Sequence, residues 1–180
     1  MLPVARYLKA DNILLGLKNG HLDEINPEKD PALERQRLKK EVIDELAALF
    51  ANVAFSPEPA IVYPNITNRS KFTHDFHAAE SKSSSGLENG LAIPHIRSKY
   101  TRSLTLIMAR SREGVWYNSR DGGLTHLFFG ISAPSWEEEI YLSFYRWIGA
   151  VFRDHGEWLP QALLDAESAD EMVALLARVD

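Results

Sequence analysis

Apolar residues recur along much of the chain with helical spacing. From Ala32 to Ala51 they fall at Leu38, Val42, Ile43, Leu46, Leu49 and Phe50, which predicts an amphipathic helix with one buried stripe. A second helix is expected from about Thr67 to Glu80, with Phe72 and Phe76 as an i,i+4 pair. Ahead of the first helix, Ala5 to Leu17 reads as an edge element leading into the domain, and Lys18 to Pro31, with Gly20, Pro27 and Pro31, as a loop. Ser56 to Pro64 holds three prolines and breaks the helical pattern.

The middle of the chain changes period. A polar, glycine-bearing stretch from Ser81 to Gly90 leads to a short apolar strand ending at Pro94. Continuous apolar runs at Leu104–Ala109 and His126–Ile131 predict two strands, with a turn at Asp121-Gly122-Gly123 between them. The last third returns to helical spacing. Ser135-Trp136-Glu137-Glu138 and Ser168-Ala169-Asp170-Glu171 both fit capping boxes. Behind the first, Ile140, Phe144, Trp147, Ile148, Val151 and Phe152 form a wide apolar face, and Pro160 divides the segment after it. Helices, then strands, then helices imply an α/β fold with a mixed sheet packed between helical layers.

Composition narrows the function classes. At 180 residues the chain fits one domain, here taken as residues 1–180. No apolar run is long enough for a membrane span, and Met1 to Arg6 lacks the features of a signal peptide. With no cysteine, disulfides, thiolate zinc sites and thiol nucleophiles are excluded. A cytoplasmic location is the expectation. The formal charge of −5 argues against nucleic-acid binding, and Arg35, Arg37, Lys39 and Lys40 read as a solvated helix face.

Candidate chemistry concentrates between Glu80 and Arg97. Serines and glycines at Ser81, Ser83, Ser84, Ser85, Gly86 and Gly90 would let backbone N–H groups approach an anion. Pro94 restricts the backbone just before His95. A neutral imidazole is a good nucleophile toward phosphorus near neutral pH, and Arg97 could supply charge for phosphoryl oxygens. The alternative for His95 is a loop-corner histidine with no role. His74 and His77, three apart on a helix, could place two metal ligands on one face. With no third ligand evident they read as exposed histidines, and no metal or other cofactor is expected. The row Tyr141, Phe144, Tyr145, Trp147 and Phe152 reads as core, given its helical spacing.

The stretch resembles the active-site signature of the fructose/mannitol-class EIIA proteins of the bacterial sugar phosphotransferase system, which includes nitrogen-regulatory EIIA. The pattern is a glutamate, a Ser/Thr-rich stretch and Gly-x-Ala-x-Pro-His. It is met by Glu80, Ser84, Ser85, Gly90, Ala92, Pro94 and His95. The likeness continues through Glu113-Gly114-Val115-Trp116 and through Leu127 to Pro134, and extends from about Leu33 to the C-terminus, leaving residues 1–31 as a divergent segment. The resemblance implies a single three-layer α/β/α domain with a mixed parallel/antiparallel sheet. It implies that His95 accepts a phosphoryl group from HPr or a related carrier and passes it to an EIIB partner or a regulatory protein. Ser85 would hydrogen-bond the histidine or the phosphoryl oxygens, with Glu80, Ser84, Gly90 and His126 in support. For His126 two placements stay open, contact with His95 through the sheet or a strand-edge cap.

The sequence departs from that pattern in three places: Ala79 where arginine is common, Ile96 where a small residue follows the histidine, and the stretch Glu138, Glu139 and Ile140 where a second histidine is often found. Arg69 or Arg97 could replace the missing cation, while Ile96 could crowd a partner's approach. The departures keep a second reading open, a non-catalytic EIIA-like module that binds partners without phosphotransfer.

Overall fold

The computed structural model describes residues 7–58, 61–137 and 139–179. The strands are β1 (Ile13–Leu14), β2 (Ala54–Glu58), β3 (Ile61–Pro64), β4 (Leu91–Ala92), β5 (His95–Ser98), β6 (Thr105–Val115) and β7 (Thr125–Pro134). The helices are α1 (Pro31–Asn52), α2 (Arg69–Lys82), α3 (Glu139–His155), α4 (Leu159–Asp165) and α5 (Ala169–Ala177).

The two longest strands, β6 and β7, pair antiparallel from Thr105↔Ser132 to Arg110↔Leu127 and again at Val115↔Thr125, with an irregularity between. Their apolar runs are continuous because both sheet faces are covered. Leu106, Met108, Leu127, Phe129 and Ile131 enter the core shared with α3, α4 and α5. Ile107, Ala109 and Phe128 enter the core shared with α1 and α2. Gly130 admits this packing, since a Cβ there would stand 2.6 Å from Ile107 Cγ1 and 2.9 Å from Phe50 Cζ. The sheet is mixed: β1 lies parallel to β6, and β4 and β5 both lie parallel to β7. The expected α/β/α arrangement is what forms.

Local chemistry sets the helix ends. Asp30 Oδ1 accepts from the N–H groups of Ala32 and Leu33 at 2.8 and 3.2 Å, with Pro31 in the first turn of α1. Ser168 caps α5 by accepting from Glu171 N at 3.1 Å, but the Glu171 carboxylate takes the N–H of Glu167 rather than that of the cap. The other predicted capping box reaches Glu138, which lies outside the described residues; Ser135 and Trp136 form a turn, and α3 begins at Glu139.

Two stretches that the sequence did not mark as strand are strands. Part of the proline-bearing stretch after α1 is an antiparallel hairpin, β2–β3, with Phe55 opposite Tyr63. Each strand of a two-stranded ribbon is an edge, so Pro57 removes no interior ladder bond. The chain after Pro94 is also a strand. The expected N-terminal edge element is present, although only Ile13 and Leu14 join the sheet, and residues 1–6 lie outside the description.

A buried guanidinium joins the sheet to the C-terminal helices. Arg110 is 3% exposed and donates to the carbonyls of Leu15, Leu163, Leu164 and Ala166, at 3.0, 3.0, 3.1 and 2.6 Å. The last three lie at the C-terminal end of α4, where carbonyls lack helical partners. Burial pulls the guanidinium below its ordinary range, with Arg112 adding to the effect. Arg110→Met strips the Leu15 and Leu163 carbonyls of this donor and leaves those of Leu164 and Ala166 to Arg112 alone. It should cost about 2–4 kcal/mol, measured as a lowered urea midpoint at neutral pH with an unchanged slope.

Candidate functional site

His95 opens β5, whose residues align with Ile131 to Ser98↔Pro134 on β7. Alternation along the strand puts His95 and Arg97 on the α3 side and buries Ile96 on the α1/α2 side. Ile96, 3% exposed, is therefore a core residue and does not obstruct the histidine's surface. The imidazole is half-buried and Nδ1 lies 3.0 Å from the Ile93 carbonyl oxygen. A carbonyl only accepts, so Nδ1 carries the proton and the Nε2 lone pair is left for chemistry.

Two tyrosines wall the ring, and reading the aromatic row as core missed them. Tyr145 meets His95 edge-on at 5.3 Å between centroids and Tyr141 at 5.8 Å. The Tyr145 hydroxyl donates to the same Ile93 carbonyl at 3.4 Å. Arg97 lies over the Tyr141 ring, 5.9 Å from its centroid, so one aromatic ring touches both the imidazole and the guanidinium. Burial, then the Tyr141 hydroxyl and the Glu80 carboxylate, push the Tyr145 phenol well above its ordinary value. Burial raises Tyr141 as well, against the opposing charge of Arg97. The only sequence signal for these two was their i,i+4 spacing at the start of α3, which core residues share.

Glu80, Ser84 and Ser85 form a second cluster on the α1/α2 side. Ser85 is 5% exposed, and its hydroxyl donates to Glu80 Oε1 at 2.5 Å while its N–H donates to Oε2 at 3.2 Å. The hydroxyl is thus engaged by Glu80, not by the imidazole. Lys39, read from sequence as part of a solvated face, is drawn inward. Its ammonium sits 3.2 Å from Glu80 Oε2, donates to Ser84 Oγ at 2.8 Å and lies over the Tyr117 ring at 4.8 Å. Ser84 in turn donates to the Tyr117 carbonyl at 3.2 Å.

His126 and Gly90 stand apart from His95. His126 lies on β7 five positions before Ile131, the residue aligned with His95, and shares the sheet face of Phe128 rather than that of Ile131. Away from His95, its Nδ1 is 3.1 Å from the Ser111 carbonyl oxygen of the neighbouring strand β6. Gly90, at φ 74°, packs against it, and a Cβ there would stand 2.9 Å from His126 Cδ2. Arg69 is also remote, donating to Asn52 Oδ1 at 2.7 Å. His77 Nε2 pairs with Asp44 Oδ1 at 2.6 Å and His74 is exposed. Among the described residues no three His, Asp or Glu side chains group as metal ligands, and no helix is long and apolar enough to cross a membrane.

Comparison with known proteins places this geometry. The model of the family described as phosphoenolpyruvate-dependent sugar phosphotransferase system, EIIA 2, matches residues 33–179. The chain is 27% identical over 142 residues to the PTS system fructose-specific EIIABC component of Bacillus subtilis. That match covers 79% of this chain but only 20% of the relative, so the chain spans about a fifth of that protein's length. Among solved structures, nitrogen regulatory protein IIA-Ntr from Neisseria meningitidis superposes with a TM-score of 0.67 at 20% identity, covering 96% of this chain and 98% of that one. The complex of enzyme IIAMTL and phosphorylated enzyme IIBMTL from Escherichia coli matches with a TM-score of 0.64 at 19% identity, over 95% of this chain and 97% of that one. These two likenesses establish the fold.

Tyr117, fully buried beside the Glu80 cluster, gives a pH test. Burial first, then the Glu80 charge, hold its phenol well above the ordinary value of 10.0. The folded state therefore disfavours the phenolate. This contribution to stability is intact below about pH 10 and is lost as pH rises from there toward the folded-state value. Wild type should lose more stability than Tyr117→Phe between pH 8 and pH 11, measured by urea denaturation. Equal losses would contradict the assignment.

Proposed function

We infer the function from one premise: the chain belongs to the EIIA 2 family of the phosphoenolpyruvate-dependent sugar phosphotransferase system. On that basis His95 is a phosphoryl carrier, acting in the cytoplasm. The donor is the phosphohistidine of an HPr-type carrier, and the acceptor is an EIIB partner or a regulatory protein. The observation that carries the reading is the Nδ1 contact to the Ile93 carbonyl at 3.0 Å, which directs the protonated nitrogen inward. No hydrogen bond from a described residue reaches Nε2.

The chemistry follows from that tautomer. The Nε2 lone pair attacks phosphorus, a new N–P bond forms, and the N–P bond of the donor breaks with its electron pair returning to the donor imidazole. The His95 ring gains positive charge as it is phosphorylated, and its Nδ1–H then makes a stronger, charge-assisted bond to the Ile93 carbonyl. A cationic ring is a good leaving group, which suits onward transfer to an EIIB partner. Arg97, on the same strand face, supplies positive charge for the phosphoryl oxygens. It fills the part of the cation absent at Ala79, and Arg69 does not.

The solved complex with phosphorylated IIBMTL supports an EIIB acceptor for this fold. Glu80, Ser84 and Ser85 act behind the imidazole by holding the preceding backbone; Gly90 and His126 support the sheet at its other end. The departure at Ile96 gives no reason to prefer a non-catalytic module, because that side chain is in the core.

Incubation with a phosphorylated HPr-type donor should place acid-labile phosphate on wild type and none on His95→Ala. Arg97→Gln should slow labelling by about ten- to a hundredfold, followed by rapid-quench sampling. Absence of label on wild type with both sugar-branch and nitrogen-branch donors would leave the non-catalytic module as the correct reading. Phosphorus–nitrogen coupling in the NMR spectrum should assign the bond to Nε2.

A further inference from the structure

A series of contacts links the ring of His95 to a residue on the far side of the sheet, in a different helical layer. The contacts form an unbroken series. Lys39 Nζ on α1 holds Glu80 Oε2 on α2 at 3.2 Å, and Glu80 Oε1 holds the Ser85 hydroxyl at 2.5 Å. The Ser85 carbonyl receives the N–H of Ile93 at 3.0 Å, and the Ile93 carbonyl receives Nδ1 of His95 at 3.0 Å. Both side chains of the ion pair are largely withdrawn from water, with Lys39 13% and Glu80 3% exposed. We propose that Lys39 is a positioning residue for His95, fixing the tautomer and orientation of the imidazole through Glu80, Ser85 and Ile93. The proposal rests on the phosphoryl-carrier reading for its consequence but not for its geometry.

The physical reason is the alternative open to Glu80. A buried carboxylate is held in place only while it is paired. Glu80 also lines a solvent-open cleft between α1 and α2, together with Lys40, His77 and Ser81. Without the Lys39 ammonium, the charged carboxylate is drawn toward that cleft and its two bonds to Ser85 break. The Ser85 segment then no longer fixes Ile93. Pro94 has no N–H to donate; its carbonyl accepts from Ile131 N at 2.9 Å, which ties the segment to β7 but not to the Ser85 side. With the Ser85 tether gone, the Ile93 carbonyl is held only by the long 3.4 Å contact from the Tyr145 hydroxyl, so it tilts away from Nδ1 and the ring samples both neutral tautomers. A glutamine at position 80 has no such drive, because its neutral amide can remain buried with its oxygen accepting from Ser85.

The test is the two-bond proton–nitrogen NMR spectrum of the His95 ring, which reads the tautomer without any phosphotransfer partner. Wild type should show one neutral tautomer protonated at Nδ1, and Lys39→Met a mixture of both. The double variant Lys39→Met with Glu80→Gln should return to the wild-type pattern. Labelling from a phosphorylated HPr-type donor should slow about tenfold in Lys39→Met and recover in the double variant. A folded Lys39→Met with the wild-type ring spectrum, or a double variant as disturbed as the single, would overturn the proposal. If Lys39→Met does not fold, Ser85→Ala removes the hydroxyl bond to Glu80 and leaves only the backbone N–H bond, and should shift the spectrum toward the mixture; an unchanged ring spectrum there overturns it equally. Failure of wild type to take label at all would refute the carrier function, while the ring spectra would still decide this inference.

Discussion

Everything at the site depends on the parallel pairing of β5 with the end of β7. Side chains on a strand alternate, so a slip of one residue would carry His95 into the α1/α2 core and turn Ile96 outward. The register is protected because both faces of this strand pair are covered by helices. It also brings Arg97 to the histidine's face, and delivers both residues to the aromatic corner at the start of α3. The sheet thus performs the positioning, and α3 supplies the walls.

Two sets of contacts meet at one backbone carbonyl, that of Ile93. From the α3 side it receives the hydroxyl of Tyr145; from the start of β5 it receives His95. The residue's N–H is tied in the opposite direction, to the Ser85 loop. Under the carrier function proposed above, such preorganisation lets the imidazole react without rearranging, since the hydrogen bond that would stabilise the developing charge already exists.

The sequence was legible where one physical demand dominated. Helical spacing located α1 and α2 within one or two residues, because each has one apolar stripe and a side-chain cap. Continuous apolar runs located β6 and β7, because both faces are buried. The motif from Glu80 to His95 indicated the family, which the match over residues 33–179 bears out. Tertiary choices were not legible. The tetrapeptide His-Ile-Arg-Ser has one apolar residue, and only its neighbour β7 makes it a strand. Lys39 carries the signature of a surface lysine, and its withdrawal depends on a glutamate brought to it by α2. Tyr141 and Tyr145 have core spacing, and it took the placement of His95 to show what they face. Gly90 and His126 pair with each other for packing, a reason a motif does not disclose.

The split between β4 and β5 bears on the order in which the molecule assembles. Both short strands lie along β7 and are separated by Ile93 and Pro94, yet neither can pair until the later strand has been made and has turned back against β6. Pairings of this kind close long loops and form slowly. The nucleophile is therefore among the last features to be built, and a nascent or partly folded chain holds a histidine with no fixed tautomer and no aromatic walls. Under the carrier function proposed above, competence to react becomes a report that folding is complete, and unfinished molecules draw no phosphoryl groups from a donor.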